Sequence, residues 1–226
     1  MPHPLRIAID GPAGSGKSTI GERLARRLGA VFVDTGAMYR ALTVLVLAQG
    51  VDPNDEDRCG DLAERAEIDM LPPTVEDGRQ YTVLLEGRDI THELRSAAVE
   101  QAISAIARQP RVRLAMRQRQ QALAPGYPIV MVGRDIGTVV LPNADRKFFL
   151  MVSVQERARR RHGDLVAALG AAAPSYEQVC DDLARRDQLD AAQMRPAADA
   201  IMIHTDTLQA DDVVALMLER IGHVHD

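Results

Sequence analysis

The sequence predicts an α/β protein with a mostly parallel central sheet and helices on both faces. Short apolar runs alternate with segments of helical periodicity along the 226 residues, and this alternation is typical of parallel strands joined by helices. A glycine-rich loop separates the first apolar run from the first helical segment. Between about residues 64 and 95, prolines and Asp77-Gly78 break the alternation, which indicates a small antiparallel insertion.

Strands are predicted where short apolar runs end at turn or loop residues. The first, from Leu5 to Asp10, enters the glycine loop and should be central in the sheet. Further strands are predicted at 31–33, 129–132, 148–152 and 201–203, with an isolated strand at 81–85 inside the insertion.

Helices are predicted where apolar side chains recur at helical spacing. Ile20, Leu24 and Leu28 form one such face, and Gly29 supplies a stop. The same spacing predicts helices over 18–28, from 38 to near 50, and over 97–108, 112–123, 155–169, 176–189 and 211–221. The acidic stretch 52–57 is expected to be solvated surface.

Charge, hydropathy and cysteine content limit the binding partners and the cellular compartment that we expect. The net charge of −5 argues against nucleic acid as a partner, since nucleic-acid binders normally present a basic face. No apolar run is long enough for a membrane span, and the N-terminal residues lack the pattern of a signal peptide, so we expect a cytoplasmic protein with no membrane partner. Cys59 and Cys180 show no metal-ligand spacing and receive no role.

The loop from Gly11 to Ser18 fits the phosphate-binding pattern G-x-x-x-x-G-K-[ST]. Its glycines permit backbone conformations that turn successive N–H groups toward an anion, and the following helix presents its positive end there. The chain has 25 arginines and only 2 lysines, so a lysine at position 17 is informative. We therefore expect a P-loop NTPase fold in which the ATP phosphates contact a set of nine residues: Gly11, Pro12, Ala13, Gly14, Ser15, Gly16, Lys17, Ser18 and Thr19.

The loop alone leaves kinases, GTPases and motor-type ATPases open. A GTPase is disfavoured because neither lysine, Lys17 or Lys147, stands in an N-K-x-D string. Motor-type ATPases typically carry an acidic residue at the end of a strand, whereas the best candidate strand here ends in Val132.

Further strings decide between these classes by resemblance. The chain resembles the bacterial cytidylate kinases in the segments Ile9 to Ser18, Asp34 to Arg40 and Gly133 to Thr138. The resemblance continues through Gln109 to Arg113, Arg186-Asp187 with Asp190, Ala198 to Ala200 and the insertion, so it covers nearly the whole chain in order.

The resemblance implies transfer of the ATP γ-phosphate to CMP or dCMP with Mg²⁺ as cofactor. It implies one kinase domain, 1–226, with a core at 1–63, 96–156 and 174–226, a monophosphate-binding insertion at about 64–95 and a short lid at about 157–173. We expect a monomer. An acceptor that is already an anionic phosphate needs no general base, so arginines that close on the transferred group should supply most of the catalysis.

The resemblance also assigns residues. Catalytic roles fall to Lys17, Arg134, Arg157, Arg161 and Asp34, with Arg159 and Arg160 as further lid candidates. In the phosphate loop, Ser18 or Thr19 can supply a hydroxyl for Mg²⁺, and Ser18 is the expected ligand. CMP would be contacted by Thr35, Tyr39, Arg40, Ser104, Arg113, Arg134, Asp135, Arg186 and Asp190. Among these, Arg40 and Arg134 would hold the monophosphate, Arg186 and Asp190 the ribose, and Asp135, Ser104 and Arg113 the cytosine.

Three positions depart from the family pattern. Gln193 stands where an arginine is common, with Arg195 nearby, while Val132 and Arg88 stand where acids are common. Two other hypotheses stay open: a kinase for UMP, AMP or a hydroxylated metabolite, and a nucleotide-binding regulatory protein that hydrolyses slowly. The six histidines, including His223 and His225, receive no role.

Overall fold

The computed structural model describes residues 3–124 and 126–222. The described residues fall into two compact units. The first, here called the phosphate-loop unit, comprises residues 3–32 and 126–222, and the second, here called the helical unit, comprises 33–124.

The phosphate-loop unit is built on a five-stranded sheet in the order β2-β6-β1-β7-β8. β1 lies at its centre and pairs in parallel with β6 and β7, and β7 pairs in parallel with β8. The strands are β1 (Arg6–Asp10), β2 (Val31–Asp34), which continues into the helical unit, β6 (Ile129–Gly133), β7 (Arg146–Met151) and β8 (Ile201–His204). The predicted P-loop α/β fold, with β1 central, is confirmed.

Four helices accompany this sheet in the phosphate-loop unit: α1 (Lys17–Leu28), α6 (Val154–Leu169), α7 (Tyr176–Asp190) and α8 (Ala210–Gly222). Strand side chains such as Ile7, Ile9 and Phe148 form one buried core with Leu24 of α1 and Met217 of α8. Apolar burial of this kind contributes about 25 cal/mol per Å², so the core fixes the strands whose carboxyl ends carry the site.

A second, smaller core joins α6 to α7. Ala158 on α6 packs with Val179 and Leu183 on α7, and Ala13 of the glycine loop packs against this cluster. Ser175 starts α7 with a capping box in which the serine and Gln178 side chains each satisfy a backbone N–H. The segment predicted as a lid therefore rests on the phosphate loop through apolar contacts.

The helical unit contains four helices and a three-stranded antiparallel sheet in the order β3-β4-β5. Its elements are α2 (Thr35–Ala48), α3 (Glu56–Arg65), β3 (Ile68–Leu71), β4 (Thr82–Leu85), β5 (Arg88–Asp89), α4 (Ala97–Ala107) and α5 (Pro110–Ala122). The predicted small antiparallel insertion is confirmed.

One helix of this unit was not expected. α3 begins at Glu56, inside the acidic stretch assigned to solvated surface, because Asp55 accepts a hydrogen bond from the Arg58 N–H and caps the helix. Glu56 and Asp57 then lie in its first turn, where negative charge is favourable. Acidic residues at 55–57 thus start a helix while remaining mostly exposed.

Within residues 3–124 and 126–222, no helix combines the length and the apolar character needed to cross a membrane.

Candidate active site

The glycine loop follows β1 and leads directly into α1. Gly16 is the N-cap of α1 and adopts a left-handed conformation with φ 85°, which glycine reaches without steric cost. Gly11 lies so close to β7 that a Cβ there would stand 2.8 Å from the Leu150 carbonyl oxygen. The loop is therefore a tight backbone turn at the positive end of a helix, which is the arrangement that binds phosphate.

Lys17 is buried and its side chain lies across this loop. Its Nζ donates to the Pro12 carbonyl oxygen at 2.6 Å and to Ser15 Oγ at 3.3 Å. A buried ammonium needs such partners, and they hold its charge within the glycine loop. The predicted contact of Lys17 with the β- and γ-phosphates stays a prediction.

Ser18 lies in the first turn of α1 and is half-buried. Mg²⁺ in kinases keeps several waters and takes few protein oxygens besides those of the phosphates, so a single hydroxyl beside a phosphate loop fits this ion. Among the described residues, no group of three or more His, Cys, Asp or Glu side chains could hold a metal. A site for Mg²⁺ here would rest on Ser18 together with nucleotide oxygens.

The loop after β6 is tied to the end of β1 by Asp10. The Asp10 carboxylate accepts hydrogen bonds from the N–H groups of Ile136 at 2.7 Å and Gly137 at 2.8 Å. These residues open a π-helical turn, Ile136–Val140, with the buried Asp135 at its N-cap. Asp10 therefore fixes the backbone directly after Arg134 and Asp135, although sequence reasoning gave it no role.

Arg134 and Asp190 are brought together. Arg134 Nε donates to Asp190 Oδ2 at 2.9 Å, and its Nη1 donates to the Gly11 carbonyl oxygen at 3.3 Å. Arg186 lies one turn before Asp190 on α7 and is half-buried. Arg134, predicted for the monophosphate, and Asp190, predicted for the ribose, thus lie together at one edge of the phosphate loop.

Arg157 makes a similar bridge from α6. It is 3% exposed and forms a bidentate ion pair with Asp187 of α7, while its Nη1 donates to the Ala13 carbonyl oxygen at 3.0 Å. Asp187 belongs to one of the segments that resemble the family, but no role was predicted for it. Its partner could not be identified from spacing because 30 residues separate it from Arg157.

The other arginines of α6 differ from Arg157 in their surroundings. Arg159 is exposed and pairs with Glu156 at 2.7 Å on its own helix. Arg160 also pairs with Glu156 at 2.7 Å and donates to the Thr205 carbonyl oxygen at 2.6 Å. Arg161 is half-buried.

In the helical unit, Asp34 caps α2. Its carboxylate accepts a hydrogen bond from the Gly36 N–H at 2.9 Å, and Thr35 behind it is buried. An N-cap carboxylate is a common structural use of aspartate, so this contact by itself gives Asp34 no catalytic role. Tyr39 and Arg40 follow on the first turns of the same helix and are half-buried.

Arg40 pairs with a residue that sequence reasoning missed. Its Nη2 lies 3.1 Å from Glu100 Oε1, and both side chains are largely buried. Glu100 lies on α4, and Ser104 follows one turn later on the same helix. Arg113, on α5, donates from Nη1 to the Ala107 carbonyl oxygen at 3.4 Å. The helical unit therefore joins α2 to α4 through Arg40 and Glu100, and it carries Ser104 on α4 and Arg113 on α5.

Tyr81 adds a further polar group to this unit. Burial, assisted by the nearby Asp34 carboxylate, raises the pKa of its hydroxyl to about 12, although the positive charges of Arg95 and Arg40 act in the opposite direction. A neutral phenol among these charges can donate a hydrogen bond to an anion. The sequence predicts only that position 81 belongs to a strand, because a single tyrosine carries no motif that could indicate a functional role.

The three residues that depart from the family pattern lie in β6, in the insertion and just after α7. Val132 is buried in β6, Arg88 pairs with Glu93 in an exposed bridge of the insertion, and Gln193 follows the end of α7 with its N–H bonded to the Asp190 carbonyl oxygen at 2.9 Å. Cys59 is buried, and burial raises the pKa of its thiol. His223 and His225 lie outside the described residues.

The chain is similar to known cytidylate kinases over nearly its whole length. A model of the cytidylate kinase family matches residues 7–223. The cytidylate kinase of Roseiflexus castenholzii is 49% identical over 223 residues, which cover 98% of this chain and 95% of that protein. That of Chloroflexus aggregans is 50% identical over 217 residues, covering 96% and 94%, and that of Geobacillus kaustophilus is 46% identical over 227 residues, covering 98% of both chains.

Proposed function

Because this chain belongs to the cytidylate kinase family, a family of nucleoside monophosphate kinases, we propose that it transfers the γ-phosphate of ATP to CMP or dCMP. The products are ADP and CDP or dCDP. The observation that carries the proposal is the buried Lys17 lying over a glycine loop, with Arg134 and Arg157 bonded to the carbonyl oxygens of the same loop. ATP as donor, the acceptor's sugar, the monomeric state and the cytoplasmic location remain predictions.

Electrostatic stabilisation is the proposed source of catalysis. Charge spreads over the transferred phosphoryl group in the transition state, and cations already in place stabilise it without reorganisation. Lys17 and Arg157 lie beside the loop that would hold the donor phosphates, and Arg134 stands at its edge. We assign Arg161 and Asp34 to the same chemistry from the family resemblance. Mg²⁺, when bound with ATP, would be held by Ser18 and would neutralise phosphate charge.

We assign the residues that contact the acceptor from the family resemblance. In the helical unit, Arg40 would hold the monophosphate with Thr35 and Tyr39 beside it, and Ser104 and Arg113 would donate to the base. In the phosphate-loop unit, Arg186 and Asp190 would contact the ribose and Asp135 would accept from the cytosine amino group. Cytosine presents an amino donor where uracil presents a carbonyl acceptor, so a carboxylate at this place favours cytosine.

An acceptor assay tests the proposal. The protein is incubated with Mg-ATP and with CMP, dCMP, UMP or AMP in turn, and ADP is followed against a reaction without acceptor. CMP and dCMP are expected to give turnover far above the hydrolysis background. ADP formation with CMP no faster than with water alone would refute the proposal and leave the slow-hydrolysis hypothesis, while preference for UMP or AMP would assign a different acceptor.

Replacement of Asp135 with Asn tests base recognition. We expect D135N to lower kcat/KM for CMP by about 10²-fold or more, because a buried carboxylate that accepts from the amino group is lost. kcat/KM for UMP should fall much less. The measurement is the ratio of the two specificity constants in the variant and the wild type.

Residues Gly87 to Ile90 have the same sequence as residues Gly133 to Ile136, so they supply a matched control. Asp89 stands where Asp135 stands in that string, but it lies on β5 of the insertion and bonds to Thr91 and Arg79. D89N should therefore leave the CMP to UMP ratio unchanged. Equal losses for CMP and UMP in D135N would remove the role assigned to Asp135.

A further inference from the structure

Arg157 is buried against the phosphate loop, whereas Arg159 on the same helix is exposed and Arg160 and Arg161 are half-buried. It is 3% exposed, and its Cβ lies 3.5 Å from the place that a Cβ on Gly14 would occupy. Its Nη1 donates to the Ala13 carbonyl oxygen at 3.0 Å. The guanidinium is therefore in direct contact with the backbone that would surround the donor phosphates.

Asp187 holds this guanidinium by two parallel hydrogen bonds. Nη1 donates to Oδ1 at 3.0 Å and Nη2 donates to Oδ2. Bidentate pairing fixes the plane of a guanidinium as well as its position. A different kind of contact is seen at Arg185, which lies on the same helix as Asp187 and pairs with Asp182 while both side chains are more than 60% exposed.

The pair leaves Arg157 with hydrogen-bonding capacity. A guanidinium carries five N–H donors, and the described contacts of Arg157 use three of them. Nε is buried and has no hydrogen-bond partner among the described residues. A buried donor without a partner is unfavourable unless a ligand or a small movement satisfies it, and an oxyanion is the ligand that suits it.

We propose that Asp187 is a positioning residue for phosphoryl transfer, which holds the Arg157 guanidinium in place beside the phosphate loop. The inference rests on the proposed function, since it assigns Arg157 to the transferred phosphate. Asp187 itself would contact no substrate. It removes the rotational freedom of a long side chain before substrates bind, and such preorganisation lowers the barrier of the chemical step rather than the affinity for substrates.

A double-mutant cycle on the full chain tests the proposal. D187N keeps the shape of the side chain but replaces one acceptor oxygen with a donor that faces the guanidinium. We expect kcat to fall by about 100-fold, while KM for ATP and for CMP changes by less than about threefold. R157Q should lower kcat at least as much, and the R157Q/D187N double variant should be no slower than R157Q alone, because Asp187 acts through Arg157.

D182N is the matched control on the same helix, and its kcat should lie within about twofold of the wild type because the Asp182 bridge is exposed. D187E keeps the charge and should recover part of the lost kcat. If D187N does not fold by circular dichroism, D187E replaces it in the cycle, with a displaced carboxylate and the same expected non-additivity.

The outcomes separate the inference from the proposed function. A wild-type protein that does not use CMP refutes the acceptor assignment, and the cycle is then measured with the acceptor that the wild type does use. An active wild type in which the losses of R157Q and D187N multiply in the double variant, or in which D187N changes only KM, overturns the positioning role. A wild type without any phosphoryl transfer overturns both.

Discussion

Asp10 is a carboxylate whose charge depends on two opposing effects. Burial disfavours its ionised form and raises its pKa to about 6, while the hydrogen bonds from Gly137 and Ile136 favour the ionised form. The nearby charge of Asp135 raises the pKa and that of Lys17 lowers it. At neutral pH the ionised Asp10 is therefore less stable in the fold than in water, although the two backbone N–H donors offset part of the cost of burial.

This balance predicts a pH-dependent stability. The folded-state pKa of Asp10 lies above its unfolded value of about 4, so the folded protein binds more protons between these values. The contribution of Asp10 to the free energy of unfolding should therefore fall as pH rises from about 4 to about 6, by roughly 3 kcal/mol at most, and stay constant above. Urea unfolding of the wild type and D10N between pH 4 and 8 measures it.

The comparison with D10N isolates this effect because the remaining carboxylates are common to both proteins. The wild-type advantage over D10N should shrink as pH rises and level off near pH 6. A difference that is constant with pH, or that grows with pH, would show that the fold does not raise the pKa of Asp10.

Residues that belong to a local motif were predictable from the sequence, whereas the partners of these and other site residues were not. Lys17 and Ser18 were identifiable because a local string specifies their chemistry. Asp187 and Glu100 were not, because an ion pair such as Arg40 with Glu100 spans 60 residues and any exposed carboxylate could have supplied it. The role of Asp10 was not predictable for another reason: its carboxylate accepts from backbone N–H groups 126 and 127 residues away, which no residue type encodes.

At the scale of elements, the insertion depends on one arginine. The Arg79 side chain is 8% exposed and lies 2.7 Å from Asp77 and 2.6 Å from Asp89, which belongs to β5. The pairing lowers the pKa of Asp77 to about 2 and holds that of Asp89 well below its usual range, with Thr91 the main cause for Asp89. A two-residue strand such as β5 has few ladder hydrogen bonds, so this ion pair network helps to keep it in register.

Replacement of Arg79 with Gln should therefore loosen the insertion locally. We expect faster amide hydrogen exchange in β4 and β5, because two neighbouring carboxylates lose their shared cation. Exchange in β1 and β6 should be unchanged, since local opening does not require global unfolding. Exchange that accelerates equally in all four strands would indicate global destabilisation instead.

Helices and strands were predictable wherever buried apolar residues recur at a regular spacing. β1, β6 and α7 read correctly because their apolar residues face cores, with only small differences at the ends. α3 did not, because a cap at Asp55 and first-turn acids stabilise it while only Cys59, Gly60 and Ala63 are buried. The π-helical turn after Asp135 follows from the two N–H groups bonded to Asp10, which is a tertiary contact.

At the scale of the whole molecule, the chain passes from one unit to the other within one strand. The boundary falls between Phe32 and Val33, inside β2, where neither glycine nor a change of composition marks it. Such a division depends on contacts across the whole chain and cannot be read from a local pattern. The single-domain organisation with a core, an insertion and a lid stays a prediction.

Nucleotide binding should stabilise the folded chain as a whole. A ligand at 100 times its Kd adds about 2.7 kcal/mol, which corresponds to a rise in Tm of roughly 5–10 °C for a protein of this size. We expect this rise with Mg-ATP by differential scanning fluorimetry. K17M, which keeps the side-chain volume but removes the ammonium, should lose most of it, and an equal rise in both proteins would contradict the role of Lys17.

Both lysines of the chain are buried, and each donates to the carbonyl oxygen of a proline five residues earlier, Lys17 to Pro12 and Lys147 to Pro142. The described surface therefore offers no lysine amine to acylating dyes or amine-directed cross-linkers. A lysine introduced at an exposed arginine, such as R159K, would be the one accessible lysine in this part of the chain. A fluorophore attached there could report on α6 in a protein that is otherwise unchanged.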